Sequence, residues 1–271
     1  VCMGQDMHRI WNSEFGEIAV ESSYGRYPDF FIPFCSVEPI DSAGRFNQKN
    51  YDYVVNKVTE CGYRGILFTP PYGQFNSNDK AIYPFYEFAQ KQGTVVQYHH
   101  SAAGGPTVLA HTKYAKMENL NDVTFDFPDM KIVVEHIGYP FSEYLFTMMV
   151  NDENLWTDLA MLYKRPLWMT WNMVLAKEMG VLDRVMFASD FVAADNDLFS
   201  ENPTKEVDAD RAARIACRSL SLSVSNLVCR GVIPSAIMGA FFLSSAACPF
   251  FRAQYSRSVT RFLLPFKRSI W

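Results

Sequence analysis

Three side chains able to bind a metal ion or move a proton stand at the ends of short apolar runs. His99 closes VVQYH at residues 95–99, His136 closes KIVVEH at 131–136, and Asp190 closes RVMFASD at 184–190. Neutral imidazole and carboxylate are donors that suit Zn²⁺ or Mn²⁺, and a divalent metal so held brings the pKa of bound water toward ~7. The three residues span 91 positions of sequence. They can act together only if each run is a strand and all the strands deliver their carboxyl ends to one face.

The surrounding sequence supplies such strands. Residues 30–37, 65–69, 95–99, 131–136, 154–159 and 184–190 are short and rich in β-branched and aromatic side chains, which predicts strands. Between them, residues 47–61, 83–92, 109–119, 142–150 and 168–179 carry apolar residues at helical spacing. Repeated strand–helix alternation is the pattern of βα units and a parallel sheet. The polar strand ends favour a TIM-like (β/α)₈ barrel over an open sheet, because a barrel gathers every strand's carboxyl end on the face where sites are built. With His99 inward, period-two alternation puts Val95 and Gln97 on its face; with His136 inward, Ile132 and Val134 join it, and Met186 and Ala188 accompany Asp190. By the same parity His100 points to the opposite face, as a supporting or structural residue, and Glu135 faces the helices as a rim charge.

Composition narrows the function classes. The 271 residues are 49% apolar and 20% charged, enough to bury a sizeable core, which excludes disordered and collagen-like chains. A formal charge of −4 argues against general nucleic-acid binding, so a small molecule is the expected partner. The charge is uneven: residues 211–271 hold nine Lys or Arg and no acid, leaving −13 on the first 210. That basic segment is expected to pack against the acidic body. The six cysteines, at 2, 35, 61, 217, 229 and 248, show no Cys-x-x-Cys spacing, and a reducing, cytoplasmic setting is expected. The uncharged run 231–251 contains two prolines and three serines and is expected to be a buried helix rather than a membrane span.

Six phrases, in order, resemble the amidohydrolase superfamily, in its branch of metal-dependent hydrolases and decarboxylases that includes aminocarboxymuconate-semialdehyde decarboxylase. They are YPDFFIPFCSVEP at 27–39, CGYRGILFTPP at 61–71, PFYEFAQKQGTVVQYHHS at 84–101, FPDMKIVVEHIGYP at 127–140, NLWTDLA at 154–160 and DRVMFASDF at 183–191. The resemblance implies that His99 is a metal ligand and that His136 is a ligand or a residue that polarises substrate. It implies that Asp190 binds the metal and exchanges a proton with nucleophile or substrate. It runs over about residues 27–239; the segment 240–271 is unlike the family, and the whole chain is expected to form one domain.

The departures carry expectations of their own. The family's first-strand ligand pair, His-x-His or Glu-x-His, has no counterpart; Asp6-Met7-His8 comes nearest, but His8 lies only 20 residues before Pro28. Residues 1–5 then read as the end of the second strand, and the barrel is expected to be incomplete at its amino-terminal side. With His99 and Asp190 as the firm ligands and His136 a third, metal binding is expected to be weak. Asp158 is expected to support the site from a neighbouring strand, His111 to sit on a lid or surface, and Trp156 to be core. The function expected is hydrolysis of a small carboxylated or cyclic substrate such as a lactone, amide or ester. The alternatives are non-oxidative decarboxylation of an aromatic or dienoic acid, and a catalytically impaired barrel that only binds a ligand. A homo-oligomer is compatible with each.

Overall fold

The computed structural model describes residues 2–3, 15–101, 110–162 and 165–188. The chain divides into two compact units, Val1–Ala209 and Asp210–Trp271, and every described residue belongs to the first. Asp190, His8, the run 231–251 and the basic tail lie outside the described residues. Among the described residues no helix is long and apolar enough to cross a membrane.

Seven strands form one parallel sheet in sequential order: β1 (Cys2–Met3), β2 (Pro33–Ser36), β3 (Gly65–Phe68), β4 (Val95–Tyr98), β5 (Ile132–Val134), β6 (Leu155–Asp158) and β7 (Val185–Met186). The crossovers carry helices α1 (Phe15–Arg26), α2 (Gln48–Thr59), α3 (Pro70–Gly73), α4 (Tyr83–Gln92), α5 (Met117–Asp126), α6 (Ser142–Asn151) and α7 (Pro166–Glu178). Sequential parallel order is the order of a (β/α) barrel, and among the described residues no ladder joins β7 back to β1. Each predicted strand is present but shorter among the described residues, and His99 and His136 fall just beyond the ends of β4 and β5.

Two helical expectations change. The periodicity over 109–119 belongs to a 3₁₀ turn, Thr112–Ala115, followed by α5; Leu109 is outside the described residues, and the buried stripe of α5 is Met117, Leu120, Val123 and Thr124. Helix α1 was not legible from periodicity: it buries Val20 and Ser23 while Ile18 is exposed, so its apolar residues do not segregate to one face. Its anchor is polar instead. Glu17 accepts the Ser36 backbone N–H at 3.0 Å and the Tyr53 hydroxyl at 2.6 Å, tying α1 to β2 and α2.

The ladder register separates the two faces. Because paired residues in parallel strands share a face, Gly65, Val95, Val133 and Gln97, Leu67, Ser36 and Phe34 lie on one side with Trp156 and Met186. Cys35, Ile66, Phe68, Val96, Tyr98, Ile132, Val134 and Leu155 lie on the other, and all of these are buried under the helices. The inner face is covered unevenly: Phe34 and Leu67 are buried, whereas Trp156 and Met186 are each 36% exposed. Trp156 is therefore not the core residue its sequence suggested.

Candidate metal centre

Strand β4 ends at Tyr98, and the next residue, His99, keeps the inward parity of Val95 and Gln97. On β5 the expected parity is reversed. Gln97 pairs with Val133, not Ile132, so Val133 and Glu135 face inward while Ile132 and Val134 pack under the helices. Glu135 is buried, with Oε1 accepting the Gln97 amide at 2.7 Å and Oε2 lying 2.9 Å from His99 Nδ1. The rim charge expected at Glu135 is a central residue of the site.

His136 reaches the same place by a different route. After Val134 the chain leaves the extended conformation, and His136, Ile137 and Gly138 all take positive φ, of 59°, 53° and 59°. The left-handed region disfavours side chains with a Cβ, most of all a β-branched one such as Ile137. The turn is held by Asp158, at the end of β6, whose Oδ1 accepts the backbone N–H groups of His136 and Ala160, each at 3.0 Å. The Ala160 carbonyl lies 3.1 Å from His136 Nδ1. A carbonyl only accepts, so Nδ1 carries a hydrogen and donates it, leaving the lone pair of neutral His136 on Nε2.

Three donor atoms therefore converge: His99 Nδ1, Glu135 Oε2 and His136 Nε2. Their separations are 2.9 Å, 3.2 Å and 3.5 Å. Ligand atoms about 2.0–2.1 Å from a tetrahedral zinc stand about 3.3–3.4 Å apart, so the triangle has the size of one face of such a polyhedron. Each donor has an outer partner: Gln97 on Glu135, the Ala160 carbonyl on His136, and Ser101 Oγ at 3.3 Å from His99 Nε2. Such partners fix ring orientation and tautomer in metal sites. Tyr72 of α3 forms a wall, its ring centroid 4.8 Å from that of His99. Sequence periodicity does not mark Tyr72; its position follows from the turn of α3.

The electrostatics suit a cation. Burial pushes the Glu135 carboxyl upward, but the hydrogen bond and charge of His99, the charge of His136 and the Gln97 amide together hold it below the ordinary value. Asp158 behaves oppositely. Burial lifts it to about 6, Glu135 adds to the rise, and His136 with the two backbone N–H groups opposes it. His100 lies on the other face, fully buried against Tyr98 at 5.9 Å between ring centroids. Burial, reinforced by His99, pushes its pKa down to about 3. His111 is exposed at the surface, beside Tyr114. Of the residues singled out from sequence, the structure brings together His99, His136 and Asp158, keeps His100 behind the sheet, and leaves Asp190 outside the described residues.

Comparison with known proteins agrees with this architecture. The profile of the amidohydrolase family matches residues 25–217. An uncharacterised TIM-barrel protein, Bb4693 of Bordetella bronchiseptica, aligns over 83% of this chain and 76% of its own, with 21% identity and a TM-score of 0.57. The 5-carboxyvanillate decarboxylase LigW of Sphingomonas paucimobilis aligns over 81% and 72%, with 16% identity and a TM-score of 0.47. A 5-carboxyvanillate decarboxylase of Novosphingobium aromaticivorans, solved with manganese and a nitrobenzoic acid derivative, aligns over 76% and 66%, with 13% identity and a TM-score of 0.46. No curated protein matches the sequence. The fold is a TIM-type (β/α) barrel, incomplete within the described residues.

Proposed function

We propose that this chain, which belongs to the amidohydrolase family, is a metal-dependent hydrolase of a small carboxylated or cyclic substrate, with His99, Glu135 and His136 as the protein ligands of a divalent cation. The observation that carries the reading is the buried triangle of donor atoms, with edges of 2.9 Å, 3.2 Å and 3.5 Å. Three protein ligands and an open position is the usual donor count of a catalytic zinc. Glu135 supplies a ligand that the sequence-derived set of His99, His136 and Asp190 did not contain, so affinity is expected to be that of a three-ligand site rather than weak. The imidazole and carboxylate set suits zinc and also admits manganese.

A cation bound there would supply Lewis acidity and a water acidic enough to ionise near neutral pH. The remaining work belongs to the chain. Gln97 holds one Glu135 oxygen so that the other points at the two imidazoles. Asp158 fixes the backbone of His136, and the Ala160 carbonyl holds its Nδ1 proton, which presents Nε2 to the site. Tyr72 closes one side over His99. Asp190, from the sequence, is assigned the proton exchange.

The test is metal content after desalting, followed by assay against lactone and ester panels. We expect about one zinc or manganese per chain. His99→Ala and Glu135→Gln should weaken uptake by more than the ~10–100-fold that follows loss of an outer partner. A chain that takes up no metal, or whose uptake ignores both substitutions, would falsify the reading; carbon dioxide release without hydrolysis would replace hydrolase by decarboxylase.

A further inference from the structure

Of the three donors in the triangle, His99 is held least firmly from outside. His136 is fixed by the Ala160 carbonyl on Nδ1, which leaves Nε2 for the centre, and Glu135 is held through Oε1 by Gln97 while Oε2 faces His99. On His99 the arrangement differs. Its hydrogen bond to Glu135, at 2.9 Å, is made by Nδ1, the same atom that belongs to the triangle. When Nδ1 binds a cation it no longer holds a hydrogen for Glu135, and the hydrogen of the neutral ring is on Nε2. The partner on that side is Ser101 Oγ, at 3.3 Å, longer than the ordinary ~2.7–3.2 Å of an N–H···O bond. What remains is packing: the half-buried Tyr72 ring lies 4.8 Å from the His99 imidazole, centroid to centroid, with the planes tilted by 47°.

The turn that carries Tyr72 is rigid. α3 opens with Pro70 and Pro71, both buried, whose rings fix φ where no N–H is needed. Tyr72 and Gly73 donate their backbone N–H groups to the Thr69 carbonyl at 3.0 Å and 2.9 Å, while Gln74, at φ 55°, and Phe75 donate to that of Pro70. Two further bonds tie the turn to its surroundings. The His111 N–H donates to the Pro71 carbonyl at 2.8 Å, and the backbone N–H of His99 donates to the Phe68 carbonyl at 2.9 Å, where β3 runs into α3. A Cβ on Gly73 would lie 2.5 Å from Glu38 Oε2 and 2.7 Å from the Phe75 ring, so the absence of a side chain seats the turn directly on Glu38. We propose that Tyr72 is a positioning residue: α3, seated on Glu38 through Gly73, holds the Tyr72 ring against His99 and keeps Nδ1 aimed into the triangle once its bond to Glu135 is given up. The inference rests on the reading of that triangle as a cation site, and it assigns the work to the ring of Tyr72 rather than to its hydroxyl.

The experiment is zinc titration of the full chain against a competing chelator, with cobalt(II) absorption reporting ligand geometry and melting in EDTA reporting folding. Tyr72→Leu is expected to weaken zinc about tenfold, the lower end of what loss of an outer partner costs, and to shift the cobalt bands. Tyr72→Phe should match wild type in both. The Tyr72→Leu loss should be larger in a Ser101→Ala background than in wild type, because the two residues restrain the same ring. Gly73→Ala, which lifts α3 from Glu38, should reproduce the zinc loss and the cobalt shift with Tyr72 itself unchanged. A Tyr72→Leu chain that melts lower in EDTA yet binds zinc and cobalt as wild type does would overturn the positioning role, as would a Tyr72→Phe chain as impaired as Tyr72→Leu. Either result leaves the triangle standing, whereas a wild-type chain that binds neither metal removes the triangle as a cation site and this role with it.

Discussion

Asp158 shows how one buried carboxylate can decide the geometry of a site it does not enter. Its Oδ1 receives two backbone N–H groups, those of His136 and Ala160, and so stabilises a left-handed turn at His136 and Ile137 that costs about 1–3 kcal/mol per residue on its own. Asp158→Ala would leave two buried donors unsatisfied, each worth about 1–3 kcal/mol. Asp158→Asn keeps an acceptor oxygen in place. We therefore expect the alanine variant to lose at least ~2 kcal/mol in urea denaturation, and to lose metal affinity with it, while the asparagine variant stays close to wild type. Equal stability of the two variants would show that the turn does not depend on this oxygen.

At the level of elements, two contacts fix how strands and helices meet. A Cβ on Gly65 would come within 2.2 Å of the Phe34 ring, so the absence of a side chain on β3 lets Phe34 of β2 fill the inner layer. Gly65→Ala is expected to destabilise by about 1–3 kcal/mol, as overpacking does, and Phe34→Leu should recover part of that loss in the double variant. The second contact is the Glu17 tie of α1. Burial, partly offset by Tyr53 and the Ser36 N–H, raises the Glu17 pKa above its ordinary value of 4.5. The folded chain then binds a proton more readily than the unfolded chain between 4.5 and the raised value, so this group's contribution to stability falls as pH rises through that window. Glu17→Gln has no such fall. Urea midpoints at pH 4 and 7 should show the glutamine variant gaining on wild type as pH rises; a relative loss would reverse the assignment.

Across the whole molecule, the metal centre joins parts of the chain that local structure keeps separate: His99 follows β4, while Glu135 and His136 follow β5 and are braced from β6. An ion that binds only when these strands are assembled must stabilise the assembly. Zinc at a hundred times its dissociation constant should add about 2.7 kcal/mol. The expected result is a rise in melting temperature that EDTA reverses and that Glu135→Gln abolishes. A zinc-induced rise that survives in that variant would place the ion elsewhere. The half-exposed Trp156 and Met186 mark where the inner face is least covered among the described residues, as an incomplete barrel predicts.

The sequence by itself determined the order of strands and helices, the class of fold, the inward parity of β4, and the pairing of His99 with His136 at neighbouring strand ends. Those features are local: they depend on periodicity and on where apolar runs stop. Only the tertiary structure decided the parity of β5, because Ile132, Val133 and Val134 are all apolar and a strand buried on both faces carries no alternation to read. Register against Gln97 resolved it and brought Glu135 inward. The left-handed turn at His136 was equally hidden, since β-branched Ile137 is a residue type that avoids positive φ; the carboxylate of Asp158, 22 residues away from His136, holds it. The signal available was the polar Gln97 on an inward face, which needed a buried partner that the strand pattern alone could not name.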